Sequence, residues 1–210
     1  PQHFADAAIH FRFALPRPGN DTPIWPTLKS TGSTAWPKGD KALHLPVYTA
    51  RAQRGAEIDV DVFQHAGGLA SDWVRDAVPG ERVALVGPGG GGILQEDTMV
   101  LAGDETAYPA ISRILDHLPE TTHGKVVLLT HDGAQDYPIK LPSKMMIDWV
   151  APRQFVETTE AAVATFSGCY AWIAAENAHF KRFRASSVLN DLPKAKRHLA
   201  SYWNREAVPS

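Results

Sequence analysis

The chain has 210 residues, 44 % of them hydrophobic and 21 % charged, with a formal net charge of -2. That balance is ordinary for a globular protein with room for one large or two small domains, and it excludes disordered and fibrous classes. The weak net charge argues against a nucleic-acid partner, no apolar run approaches the ~18 residues of a membrane helix, and a lone cysteine, Cys169, allows no internal disulfide or cysteine-rich metal site.

The first periodic segment, residues 8–15, alternates like a half-buried strand. A proline-rich polar excursion from Pro16 to about Asp40 then reads as a loop. Short strands return at residues 47–50, 57–63 and 82–86, with a helical pattern over 70–77 that Val78-Pro79-Gly80 ends. Several short strands around one inserted helix predict a small antiparallel barrel. Beyond the glycine run at 87–92 the pattern changes. Strands at 99–102, 125–130, 145–150 and 170–175 alternate with helices at 106–118, 158–165 and 177–189, which predicts a doubly wound, mainly parallel sheet. The expected organisation is a barrel over residues 1–94 and an α/β domain over 95–210, with a soluble, cytoplasmic setting because no secretion signal is visible.

The most informative run is Ala102-Gly103-Asp104-Glu105-Thr106-Ala107-Tyr108-Pro109-Ala110-Ile111. A strand feeding a Gly-Asp-Glu-Thr turn and then a helix is the geometry of a nucleotide pocket, since a helix start leaves N–H groups for an anion. The adjacent acids Asp104 and Glu105 are equally explained by the helix dipole. The run 87–92 satisfies G-x-G-x-x-G but opens no helix, so it reads as a connection and not as a dinucleotide fingerprint. Gly68-Leu69-Ala70-Ser71 precedes the helix at 70–77. Ser71 is either an N-cap or part of a pyrophosphate-binding helix start. Tyr48-Thr49 offers an aromatic face and a hydroxyl to a flavin, or simple core packing, and His65 closes the preceding strand. The nine histidines show no metal-ligand spacing, so no metal is expected, and the G-x-S-x-G turn of serine hydrolases is absent. Near the end, Lys181, Arg182, Arg184, Lys194, Lys196, Arg197, His198 and Arg205 form either a solvated helix face or, collectively, a site for an anionic substrate or the 2′-phosphate of NADPH. Tyr202-Trp203 packs on a flavin or staples the tail.

Together these pieces, with His10-Phe11-Arg12-Phe13-Ala14-Leu15 and Trp172-Ile173-Ala174-Ala175-Glu176, resemble the siderophore-interacting protein family in order along nearly the whole chain. The Gly-Asp-Glu-Thr-Ala-x-Pro-Ala run is the specific element. The resemblance implies a flavin-binding barrel followed by a nicotinamide-binding domain, and an NAD(P)H-dependent, FAD-containing enzyme that reduces ferric siderophores. It assigns Tyr48 and Thr49 to FAD, with Gly68, Ala70 and Ser71 at its pyrophosphate, and His65, at the end of the strand over 57–63, either faces the same cofactor or is structural. Gly103, Asp104, Glu105, Thr106, Pro109, Ala175 and Glu176 go to NAD(P)H. Lys181, Lys194, Lys196 and Arg205 are the candidates for drawing in the iron complex, and no protein acid or base is required. Three departures from the family pattern stand out: Pro46 where an arginine is usual, Ala175 where a glycine is usual, and the lack of the barrel's first strands. Pro46 and the absent strands motivate the alternative of a flavin-free iron-siderophore binding protein, and a flavin reductase or electron-transfer component with another acceptor would differ only at the iron site.

Overall fold

The computed structural model describes residues 10–20, 22–90, 94 and 96–205. Ala8 and Ile9 of the first expected strand, Gly91 and Gly92 of the glycine run, and Ile93 and Gln95 at the expected domain boundary lie outside the described residues. The chain divides into two compact units, residues 1–91 and 92–209.

In the first unit, β1 (His10–Ala14) is followed by a two-residue ladder of β2 (Thr27–Leu28) and β3 (Thr34–Ala35) inside the proline-rich excursion. Next come β4 (Val47–Thr49), β5 (Ala52–Arg54), β6 (Glu57–Asp59), α1 (Leu69–Asp76) and β7 (Ala84–Gly89). The main sheet has the order β4-β1-β7 and is antiparallel throughout. Phe11 and Phe13 share one face of β1 because side chains repeat every second residue. Their rings meet edge to face at 4.9 Å, and they form the core with Leu15, Ala50 and Ala70. Arg12, between them, is exposed.

The strand expected over 57–63 stops at Asp59. The β5–β6 hairpin pairs Ala52 with Asp59, and the Arg51 N–H still donates to the Asp59 carbonyl at 2.8 Å, after which the partner strand has turned away. Ile58 and Val60 nevertheless pack on the core, which is the origin of the alternation in the sequence. The strand expected at 82–86 is displaced to 84–89 and carries Gly87 and Pro88 in a strand rather than at a helix start.

The second unit contains β8 (Thr98–Gly103), α2 (Tyr108–His117), β9 (His123–Leu129), β10 (Lys144–Val150), α3 (Phe155–Thr165), β11 (Tyr170–Glu176), α4 (Asn177–Ala185), α5 (Ser187–Asn190) and β12 (Arg197–Trp203). All five strands are parallel in the order β10-β9-β8-β11-β12. This is a doubly wound sheet whose order reverses between β8 and β11. Val100, Ala102, Val127, Ala171 and Ile173 are fully or almost fully buried against Phe155, Val163 and Phe183, as central strands covered by helices require.

The helix expected over 177–189 is broken at Ser186, whose Oγ accepts from the Leu189 N–H at 3.3 Å and starts a second helix. Of the basic C-terminal residues, for which a helix face is one reading, Lys181 does lie in the helix α4, whereas Arg197 and His198 belong to the edge strand β12. Its sequence, Arg-His-Leu-Ala-Ser-Tyr-Trp, contains no β-branched residue, and pairing with β11 rather than local propensity makes it a strand.

Candidate functional site

In an open doubly wound sheet, ligands bind beyond the carboxyl ends of the strands where the strand order reverses. Here that place is bounded by Gly103-Asp104 at the end of β8 and Glu176 at the end of β11. A cavity of about 380 Å³ opens there. Its wall includes Asp104, His131 after β9, Pro152 after β10, Glu176 and His179 at the start of α4, and Arg205 after β12.

Gly103 is required by packing. A Cβ there would lie 2.6 Å from the Ala107 Cβ, 2.9 Å from the Ile111 Cδ1 and 3.1 Å from the Ala174 carbonyl oxygen. The glycine thus lets the helix after β8 sit close against β11. Asp104 is 1 % exposed, and its carboxylate is the hub of the site. Oδ1 accepts from the Thr106 N–H at 3.1 Å and the Thr106 hydroxyl at 2.6 Å. Oδ2 accepts from the Glu176 N–H at 2.7 Å and the Trp203 indole N–H at 2.9 Å. One buried side chain therefore ties together the ends of β8, β11 and β12. Trp203 is a staple for the tail, one of the two roles its position suggested.

This arrangement corrects one expectation. The turn before α2 does not present all its N–H groups to an anion: Thr106 donates to Asp104 Oδ1, Ala107 donates to the Asp104 carbonyl at 2.8 Å, and Pro109 has no N–H. Pro109 and Ala175 are buried behind the cavity, whereas Glu105, Thr106 and Glu176 keep partial exposure. Glu105 accepts from the His131 backbone N–H at 2.7 Å and from its Nδ1 at 2.9 Å. The Arg205 Nη2 donates to His131 Nε2 at 3.2 Å. Glu176 Oε2 accepts from the Ala178 N–H at 2.6 Å and caps α4. Burial lowers the pKa of His179, opposed by the nearby Asp104 and Glu176 charges, and neither of its ring nitrogens has a hydrogen-bond partner.

The four basic residues expected to act together do not share one place. Arg205 stands on the cavity wall at the carboxyl end of β12. Lys194 and Lys196 precede the amino end of the same strand, and the Lys196 Nζ is paired with Glu96 at 2.8 Å. Lys181 is exposed in α4. Sequence reasoning missed His131 and His179. The position of His131, directly after the apolar run of β9 at the same sheet end as Asp104, was the available signal.

In the first unit, Gly68 is the N-cap of α1, and Asp72 is the first residue whose N–H reaches back to its carbonyl, at 2.9 Å. The N–H groups of Leu69, Ala70 and Ser71 thus have no acceptor within the helix. A Cβ on Gly68 would lie 2.4 Å from the His65 ring, so His65 covers the helix start from one side. Ser71 is inside the helix and not at its cap. Its hydroxyl accepts from the His65 N–H at 3.2 Å and donates to the Phe63 carbonyl at 3.5 Å. Its hydroxyl is thus engaged within the protein, and its backbone N–H is the group left without a partner in the helix. Thr49 is buried and Tyr48 half-buried, with the Tyr48 ring 5.3 Å from Phe13 and its phenol pKa raised by burial. Pro46 offers only its carbonyl, which accepts from the Phe13 N–H at 3.1 Å. The Arg12 Nη1 donates to the Leu45 carbonyl at 3.0 Å, which sets a guanidinium beside Pro46. Backbone donors at a small-residue helix start and a half-buried aromatic fit a flavin dinucleotide.

Among the described residues, no group of three or more histidines, cysteines or acids comes together to hold a metal ion, and no helix is long and apolar enough to cross a membrane.

An antiparallel β unit and a doubly wound parallel sheet in one chain define the fold class as a two-part β plus α/β protein. The family model described as siderophore-interacting protein matches residues 96–206, and that described as siderophore-interacting FAD-binding domain matches residues 2–92. The chain belongs to the siderophore-interacting protein family, and its first part is that family's FAD-binding domain. It is 37 % identical over 124 residues to the ferric vibriobactin reductase of Vibrio cholerae, a match covering 54 % of this chain and 46 % of the relative. The match therefore spans about half the length of that relative. The NADPH-dependent ferric-chelate reductase of Escherichia coli is 26 % identical over 206 residues, covering 93 % of this chain and 79 % of the relative. The fold is shared with the siderophore-interacting protein of Aeromonas hydrophila (TM-score 0.76, 22 % identity, 94 % of this chain and 79 % of that one). It is also shared with a siderophore utilization protein from T. fusca (TM-score 0.77, 22 % identity, 97 % and 82 %).

Proposed function

We propose that this protein is an NAD(P)H-dependent flavoprotein that reduces ferric siderophores and releases Fe(II) in the cytoplasm. The observation that carries the reading is the cavity at the switch point of the second unit, organised by Asp104, in a chain whose first part is an FAD-binding domain. A bound flavin supplies the chemistry that couples uptake of a hydride to release of single electrons, so one hydride serves two Fe(III) ions. Fe(III) is held by hard oxygen donors far more tightly than Fe(II), and reduction is the releasing step.

The protein's own part is positional. Leu69, Ala70 and Ser71 would face the flavin pyrophosphate with backbone N–H groups, and Arg12 is the candidate for the cation that Pro46 cannot supply. Tyr48 would lie along the ring system. Asp104 holds the ends of β8, β11 and β12 at fixed spacing, so His131, Glu176 and Arg205 would meet the nucleotide as a prearranged wall. No protein group has to move a proton for the electron transfers.

The test is an anaerobic mixture of the chain, FAD, NADPH and a ferric siderophore, with an Fe(II)-specific chelator to trap the product. The expected result is coloured Fe(II) chelate that appears only when all components are present. A chain that binds the ferric siderophore but yields no Fe(II) supports the flavin-free binding protein instead.

A further inference from the structure

A dinucleotide brings at least two phosphate charges into a cavity whose wall already carries Asp104 and Glu176, with Glu105 beside His131. The turn before α2 has spent the N–H groups of Thr106 and Ala107 on Asp104 itself. Among the described residues, Arg205 is the one arginine or lysine on the cavity wall.

Arg205 is held in a defined posture. Its backbone N–H donates to Glu176 Oε1 at 3.3 Å, its guanidinium lies over the Trp203 ring at 5.6 Å, and Nη2 donates to His131 Nε2 at 3.2 Å. Because Nε2 accepts, the His131 proton sits on Nδ1, where it is donated to Glu105. The same carboxylate takes the His131 backbone N–H, so the ring has both its place and its tautomer fixed. A guanidinium that leans on a neutral imidazole has a weaker partner than a phosphate would be. Charge-assisted, two-point bonding to phosphate oxygens is the stronger alternative.

We infer that Arg205 is the phosphate-binding residue of this pocket and that His131, oriented by Glu105, is its positioning residue. The inference rests on the reading of the cavity as a nucleotide site and goes further in assigning its anion contact. The phosphate is either the pyrophosphate, common to NADH and NADPH, or the 2′-phosphate of NADPH alone, and the chemistry of recognition is the same.

The experiment is calorimetric titration of the full chain, with flavin present, by NADP⁺ and by NAD⁺ at two salt concentrations. Arg205→Gln weakens NADP⁺ binding by at least about tenfold and flattens its salt dependence. A loss confined to NADP⁺ locates the contact at the 2′-phosphate, and an equal loss for both nucleotides locates it at the pyrophosphate. Affinities within about twofold of the parent for both overturn the assignment. If the parent chain binds neither nucleotide, this inference falls together with the nucleotide reading. His131→Ala weakens binding severalfold although Arg205 is intact. His131→Gln, whose side-chain amide can accept from Arg205 and donate to Glu105, restores it, and failure of that rescue removes the positioning role.

Discussion

The two units solve the problem of building a cofactor site in different ways. In the second, five parallel strands have central residues such as Val100, Ala102, Val126 and Ala171 with no exposure at all, and one buried carboxylate fixes the geometry of the strand ends. In the first, a three-stranded sheet and one short helix enclose a core of five buried residues, while Val47, Phe63, Val78 and Leu85 remain exposed. An apolar groove of about 410 Å³ runs there between Phe13, Ile58, Trp73 and Val83. The second unit is organised by a polar hub, the first by aromatic packing around β1. Damage to each should therefore show in a different ligand.

The largest effect is expected from Phe11→Ala, which empties the centre of the smaller core. A loss of about 3–5 kcal/mol is the usual consequence, enough to abolish flavin binding. NADP⁺ binding by calorimetry should survive, and its equal loss would break the picture of two separately organised units. Asp104→Ala is the converse. It leaves the Trp203 indole N–H and the Glu176 N–H without their acceptor, at about 2–4 kcal/mol, and should remove nucleotide binding while flavin content is kept. Ser71→Ala should cost about 1 kcal/mol and loosen the 63–65 segment, lowering flavin affinity only a few-fold if the proposed pyrophosphate contact runs through backbone groups. A complete loss of flavin would show instead that the hydroxyl itself touches the cofactor.

The smallest effect is shared by both units. Burial lowers the pKa of His10 and His44 in the first unit and of His179 in the second. Each takes up its proton more readily when unfolded, so stability is fully present above the unfolded value of ~6.5 and is lost as the pH falls below it. The melting temperature should be lower at about pH 5.5 than at about pH 7.5, and His179→Gln should reduce that difference. A melting temperature that rises on acidification would contradict the lowered pKa of these half-buried rings.

The second unit was the more legible in sequence. Short, β-branched apolar runs such as Val126-Val127-Leu128-Leu129 favour strands covered on both faces, and the Gly103-Asp104-Glu105-Thr106 turn names its own place at a strand end. The hub was not legible, because Asp104 meets Trp203 and Glu176 only after β11 and β12 have been added beside β8. Proximity to the helix start suggested an anion site, whereas the same N–H groups are taken by Asp104. β12 escaped notice because an edge strand needs only one covered face and carries charged and small residues. In the first unit, the alternation over 57–63 reported burial of Ile58 and Val60 correctly but overstated the ladder, since burial and strand pairing separate where the partner strand turns away.

The most direct test is the visible spectrum of the purified chain after incubation with FAD, recorded without oxygen before and after NADPH is added. A retained flavin band near ~450 nm that bleaches with NADPH and recovers when a ferric siderophore follows is the predicted result. A chain that retains no flavin, or whose flavin band NADPH leaves unchanged, would contradict the redox reading of both units.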